Sequence, residues 1–222
     1  MNIERFYRTP WWLRPLTSAT LALGILSCLA GEPAPIELPK PRMDAGRPLM
    51  QALKDRKSTR EYSADQLPSQ VLSDLLWAAF GVNRPDSGHR TAPSTMNCQG
   101  IDLYVSSADG LFIYDPKAHR LNPVSTNDVR SATGQQEYVK QAPVELIFVA
   151  DYARMEKVPV SEREFYAAAD TGFISQNVYL FCASEGLGTV VHAVDKQGVA
   201  KAMNLRPDQK VVLAQAVGYP KK

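Results

Sequence analysis

From residue 48 onward the spacing of hydrophobic positions changes several times, and each change predicts an element. Residues 48–55 suit a short helix, with Pro48 at the start and Leu49 and Leu53 on one side. Leu67, Val71, Leu72, Leu75, Leu76 and Ala79 keep helical spacing, which predicts an amphipathic helix over 67–80. Pro68 suits its first turn and Gly81 its stop. Residues 82–99 hold no period and read as one 18-residue loop, a length uncommon inside a compact domain and often functional. Residues 101–106 and 111–115 read as a hairpin around Ala108, Asp109 and Gly110, and 144–150 is a nearly continuous apolar strand opened by Pro143.

The stretch 162–185 lacks a breaker apart from Gly172 and stops at Gly186, so it predicts one long helix. Its apolar residues Phe173, Ile174, Val178, Leu180 and Phe181 spread around the cylinder. Such a helix is buried on most sides, by the core or by a partner subunit. A short strand over 189–191, a helix to Asn204 capped by Asp195, and a last strand over 210–217 complete the order. The class this order predicts is α+β.

The N-terminus follows another pattern. Arg5, Arg8 and Arg14 precede an apolar run over 16–30, the layout of a secretory signal. The run is too short for a confident membrane span, which needs about 20 apolar residues. Two processing readings stand side by side. Ile25-Leu26-Ser27-Cys28 resembles a bacterial lipobox that would leave a lipid anchor on Cys28, and the alternative is cleavage after Ala30. The Pro-rich stretch 31–47 then reads as an extended, poorly packed linker, and 48–222 as the folded domain. Export, to a periplasmic location, is the expectation.

Composition adds exclusions. The 222 residues carry 25 Lys+Arg against 23 Asp+Glu, with 45% hydrophobic and 22% charged residues. Those values exclude collagen-like, disordered and disulfide-scaffold classes. The whole +2 surplus lies in residues 1–42, so the body is neutral and no basic excess exists to neutralise a nucleic acid. Cys98 and Cys182 show no pairing signal, and the scattered His89, His119 and His192 argue against a structural zinc site.

Four stretches could carry chemistry. Arg56, Ser58 and Arg60 alternate around Lys57 and Thr59, so an extended chain would aim two guanidiniums and a hydroxyl at one anionic group. A solvated basic turn after a helix is the competing reading. Ser94, Thr95, Asn97 and Gln99 offer polar donors and acceptors in the 82–99 loop. Glu185-Gly186-Leu187-Gly188-Thr189 is a helix C-cap, but the backbone amides of Val190 and Val191 in the strand after it are candidates for a ligand. The C-terminal Lys221 and Lys222 suit a phosphate or a frayed tail.

Taken in order, Arg56–Arg60, Ala92–Gln99, Phe173–Leu180, Glu185–Thr189 and Val217–Pro220 resemble the FMN-dependent nitroreductase superfamily. The branch most similar is the one with the SagB-type (ThcOx-like) azoline oxidases, here as a small exported member. The resemblance implies an α+β fold whose central, mostly antiparallel sheet is flanked by helices, in an intertwined homodimer with FMN at the interface. It implies Arg56, Lys57 and Ser58 at the FMN phosphate and ribityl chain and Arg60 nearer the pyrimidine edge. Pro93, Ser94 and Asn97 match a loop contributed by the second subunit. Gln135 is an implied partner of the pyrimidine edge, Thr189, Val190 and Val191 of the isoalloxazine, and Lys221 or Lys222 of the phosphate. Cys98 departs from the aromatic residue of many relatives, and the tail stops before their phosphate-binding arginine.

The implied activity is two-electron transfer through flavin N5 to or from a small organic substrate, with no catalytic side chain required. Cytosolic relatives use NAD(P)H, whereas export would require another electron donor. The alternatives are an exported, non-catalytic flavin- or ligand-binding protein, and a cytosolic NAD(P)H nitroreductase.

Overall fold

The computed structural model describes residues 34–221; the expected leader over 1–30, with Cys28, lies outside the described residues, as does Lys222. Among them an antiparallel sheet of seven strands runs in the order β1 (Ile36–Glu37), β6 (Arg120–Ser125), β5 (Gly110–Asp115), β4 (Ile101–Ser107), β7 (Val144–Asp151), β9 (Gln209–Gly218) and β8 (Gly188–His192). All eight residues of β7 are buried, because helices cover both faces of the sheet there. That double cover explains why β7 reads as a continuous apolar run rather than an alternation.

One face packs against α2 (Ser69–Phe80) and α5 (Arg163–Glu185), through Leu75, Leu76 and Phe80 against Leu146, Phe148, Ile174 and Val178. Burying one such large apolar side chain stabilises the fold by about 1.5–3 kcal/mol. The helix α1 (Leu49–Asp55) lies along α5. The opposite face carries α3 (Arg130–Thr133), α4 (Glu137–Gln141) and α6 (Lys196–Ala202), with Ile147 and Val149 against Val199 and Met203. Asp195 caps α6 by accepting the Gly198 amide at 3.0 Å, as its position before the helix predicts. Gly186 ends α5 at φ 73°, a left-handed conformation that glycine adopts without penalty.

Within the chain α5 buries one stripe, including Ala167, Ile174, Val178 and Cys182, while Phe165 and Phe173 stand 71% and 50% exposed. The expectation of burial on most sides is thus met on only one side by this chain's own core.

Three expectations need correction. The 82–99 stretch is not a single loop: β2 (Val82–Arg84) and β3 (His89–Arg90) form a two-stranded ribbon, and Thr95–Asn97 a 3-10 turn. Strands of two or three mostly polar residues leave no alternation to read. The stretch over 116–142 holds β6, α3 and α4, none of which stood out, because Asn122 and Pro123 interrupt the apolar pattern of β6. The Pro-rich stretch is not a loose linker from residue 36 on. Ile36 and Glu37 pair with Leu121 and Arg120, and the Arg42 guanidinium meets the buried Asp74 carboxylate at 2.7 Å. Proline excludes helix but fits an edge strand, so the same residues that suggest a linker also permit this pairing.

Candidate functional site

The arm at 56–60 begins where Arg56 leaves the helical conformation, at φ −57° and ψ 120°, while its amide still donates to Ala52 and closes α1. The extended chain then runs along the outer edge of β8, with the Thr59 amide donating to the Thr189 carbonyl at 3.0 Å. This approach needs Gly188, since a Cβ there would stand 2.7 Å from Thr59 Cγ2. Behind the arm the buried Tyr62 donates its hydroxyl to the Thr59 carbonyl at 2.7 Å. Tyr62 also bridges to Pro220, and the Lys221 amide donates to the Glu61 carbonyl at 3.1 Å, so the backbone of Lys221 follows the arm while the residue lines a separate recess with Tyr62, Lys140 and Pro143.

Of the three alternating residues, Arg56 and Ser58 both approach Tyr179 of α5, and Arg60 makes no such contact with it. The Arg56 guanidinium lies 5.4 Å from the centre of the Tyr179 ring, and Ser58 Oγ is 3.3 Å from its hydroxyl. The Tyr179 oxygen also accepts the Val191 amide at 2.9 Å. Lys57, Thr59, Tyr179, Leu187, Thr189 and Pro220 line a recess of about 290 Å³ at this place, together with Asp55, whose carboxylate is paired with Arg47 at 3.0 Å. Arg56, Lys57 and Arg60 make no ion pair among the described residues, and Lys57, Ser58 and Arg60 are exposed.

The strand behind the arm is anchored through its side chains. Ser175 of α5 donates to Gln215 Oε1 at 2.9 Å, Gln215 Nε2 to Thr189 Oγ1 at 3.0 Å, and that hydroxyl to the Ala216 carbonyl at 2.8 Å. This chain is buried and satisfied, so it fixes β8 against α5. Backbone polar groups of Thr189 and Val191 point outward and those of Val190 toward β9, opposite Ala216. The expectation of free amides at Val190 and Val191 therefore fails, the first being turned to β9 and the second held by Tyr179.

Pro93, Ser94 and Asn97 are not brought to the arm within this chain. The Thr95 amide and hydroxyl donate to Asp170 of α5 at 3.0 and 3.1 Å, nine residues or about 13 Å along the helix from Tyr179. Ser94 Oγ accepts the Gln99 amide at 3.0 Å, and Met96 and Asn97 both stand at φ 51°. Two consecutive non-glycine residues in the left-handed region concentrate strain in this loop, as functional loops often do. Burial pushes the Asp170 carboxyl up, against the opposing effect of the Thr95 donors.

Gln135 lies at the other end of β8. With Gly134, Gln136, Ala193, Val194 and Gly198 it lines a recess of about 480 Å³. The arm at Thr189 and this recess at Ala193 are four residues apart along one strand, about 13 Å. Beneath the recess sits a group that the sequence did not single out as a site. His192 Nε2 is 3.0 Å from Glu145 Oε2, and neither side chain is exposed. Burial pushes the Glu145 carboxyl up, to about 7. Burial opposes the His192 imidazolium, yet the hydrogen bond and charge of Glu145 prevail and hold it above its ordinary value.

Tyr179 could have been found, since it lies in the 173–180 stretch already quoted, at helical spacing from the apolar residues. Cys98 is a half-exposed free thiol beside the Thr95–Asn97 turn, and burial pushes the Cys182 thiol up.

Comparison with known proteins agrees with this architecture. The model of the nitroreductase family matches residues 53–219. A protein of Methanocaldococcus jannaschii named as a nitroreductase is 34% identical over 146 residues, which cover 61% of this chain and 73% of the relative. A crystal structure named as a nitroreductase from Ralstonia eutropha is 44% identical with a TM-score of 0.82, covering 86% of this chain and 91% of the other. The NADPH:FMN oxidoreductase of Vibrio harveyi, complexed with NAD+, shares the fold at 18% identity and a TM-score of 0.58, over 78% of this chain and 69% of its own.

Proposed function

This chain belongs to the nitroreductase family, and from that premise we propose that it is an FMN-dependent oxidoreductase acting on a small organic substrate. The observation that carries the reading is the convergence of Arg56 and Ser58 on Tyr179 beside the outer edge of β8. The donor set fits an anionic cofactor. Lys57 lines the recess, Arg56, Ser58 and Arg60 are its neighbours on the arm, and none of the three cations has an acidic partner among the described residues; planar, charge-assisted donors of this kind suit a phosphate.

When bound, FMN supplies a reversible two-electron exchange that side chains lack. The residues of this chain bind and orient. Arg56, Lys57 and Ser58 would hold the phosphate and ribityl end, and Arg60 would add positive charge toward the pyrimidine edge, with Lys221 a further cation at the end of the arm. Strand β8, held at Thr189 by the arm and at Val191 by Tyr179, would support the ring, and Gln135 would meet its polar edge in the second recess. Preorganised charge and positioning are the protein's whole contribution, without a side-chain nucleophile.

Pro93, Ser94 and Asn97 complete the site from a second copy. The distance of their loop from the arm within one chain supports a homodimer, as do the exposed Phe165 and Phe173 on the outer side of α5. Motif order supports placement in the SagB-type branch, and the leader over 1–30 supports export with a donor other than cytosolic NAD(P)H.

The test is to purify the full chain and record its visible spectrum with and without added FMN. A flavin spectrum that is bleached by a reductant and restored by a quinone or nitroaromatic supports the enzyme. Bound flavin inert to every donor would favour a ligand-binding protein, and no flavin binding at all would reject the cofactor.

A further inference from the structure

We propose that His192 and Glu145 are positioning residues for the flavin cleft, one buried pair that sets both walls of the recess at the far end of β8. The proposal rests on the FMN reading above.

The geometry begins in the sheet. His192 ends β8 and Glu145 lies near the start of β7, with β9 between them. At the registers facing these residues β9 carries only Ala214 and Ala216, His192 pairing with Ala214 and Glu145 with Ala216. Two small side chains leave the gap through which imidazole and carboxylate meet at 3.0 Å. The other ring nitrogen, Nδ1, lies 3.0 Å from the Ala193 carbonyl oxygen. Both nitrogens thus face oxygen, and there are two ways to distribute the protons. Either an imidazolium donates to both oxygens, or a protonated Glu145 donates to Nε2. In both cases Nδ1 donates to Ala193, so the pair fixes the direction in which the chain leaves β8.

That chain, Ala193 and Val194, is one wall of the recess. The other wall touches the same ring: a Cβ on Gly134 would stand 3.0 Å from His192 Nδ1, so the 134–136 turn packs directly on the imidazole. The edge of Tyr138 from α4 meets the ring at a centroid distance of 6.2 Å. Arg130 from α3 acts on Glu145 by its charge, and Glu145 in turn acts on the nearby Tyr62 hydroxyl. The buried Gln136 amide oxygen lies at the same Gly134 position as the imidazole, and Glu145 Oε1 has no hydrogen-bond partner among the described residues. The proton is held behind the recess rather than in it, which makes the pair a support and not a reacting group.

The test uses the full chain with Glu145→Gln and His192→Gln, and a thermal melt to establish folding. Glu145→Asp, which keeps the charge and shortens the reach, serves if the first variant does not fold. Without cofactor, the His192 ring nitrogens and the amides of Gln135 and Val194 are followed by NMR from about pH 5 to 9, a range spanning ordinary histidine titration. We expect one titration shared by the ring and both amides, lost in Glu145→Gln. With FMN added, Glu145→Gln should weaken binding about tenfold, the worth of one hydrogen bond. It should also alter the visible band of the bound flavin and the pH dependence of its midpoint potential. Amides at 135 and 194 that ignore both substitutions overturn the proposal, with or without FMN. So does a folded variant whose flavin spectrum and potential match the unsubstituted protein. Failure of the unsubstituted chain to bind FMN rejects the cofactor reading alone, because the cofactor-free titration still decides the positioning claim.

Discussion

Tyr179 on α5 holds Val191 on β8: the strand's outward amide donates to the phenol oxygen across 2.9 Å. The same hydroxyl lies 3.3 Å from Ser58 Oγ, and the ring supports the Arg56 guanidinium. One side chain of the long helix therefore secures both the edge strand and the basic arm. Tyr179→Phe should cost about 1 kcal/mol, the net worth of a hydrogen bond, while preserving the packing of the ring. Denaturant unfolding measures the loss, and faster hydrogen exchange at the Val191 amide locates it. An unchanged exchange rate there would show that the phenol is not what holds the strand.

Arg56→Ala combined with Arg60→Ala should yield a folded, colourless protein. Neither side chain is part of the core, so circular dichroism should match the unsubstituted chain. Each charge-assisted hydrogen bond is worth about 1.5–3 kcal/mol, so losing two should weaken FMN by about a hundredfold or more. Flavin fluorescence titration reads this directly, and undiminished affinity would place the cofactor elsewhere.

Gly188→Ala tests the close approach of the arm. The added methyl would meet Thr59 within the van der Waals limit, and small-to-large changes at tight contacts cost about 1–3 kcal/mol. The arm has to move for the methyl to fit, so FMN affinity should fall along with stability. A loss of stability with full affinity would mean that the strand shifts and the arm does not.

Asp170→Ala should destabilise by about 1–3 kcal/mol, because the Thr95 amide and hydroxyl both lose their acceptor. Asp170→Asn should cost less, since one carbonyl oxygen still accepts. Thermal unfolding of the two variants side by side gives the ordering.

The pH dependence follows from the buried pair. Glu145 binds its proton more tightly in the fold, at about 7 against an ordinary 4.5, so its stabilising contribution is present below 4.5 and fades as pH rises toward 7. His192, raised above its ordinary 6.5, contributes fully below 6.5 and loses that contribution as pH rises through its folded value. Both act in one direction, through the proton that the pair shares, so the two contributions are one and do not add. Relative to Glu145→Gln, the unsubstituted protein should lose stability from about pH 4.5 upward, measured by urea unfolding at several pH values. A difference that grows with pH instead would contradict the assignment.

What could be read in advance depended on how far each signal reaches along the chain. The α5 and β7 runs are long and uninterrupted, so their residues alone define them. β1 has only two residues and exists through its partner, and Pro123 hides β6 although the strand tolerates it. The site divides in the same way. Arg56 and Ser58 lie two residues apart, and their convergence was legible. Their meeting with Tyr179 spans 121 residues, and the Glu145–His192 contact spans 47 and depends on two alanines in a third strand. No local pattern encodes a distance of that kind.

The short strand β1 has one more consequence. A sheet edge with bare amides and carbonyls is a template on which another molecule's strand can grow. Here β1 covers Arg120 and Leu121 of β6, and two residues further along Pro123 offers no amide to a newcomer. At the opposite edge Thr59 and Tyr179 occupy the outward groups of β8. Both borders of the sheet are thus partly covered by pieces of the same chain. Protein truncated at residue 43 would lose one of these guards and leave Asp74 without Arg42, so its first failing in concentrated solution should be self-association rather than loss of helix.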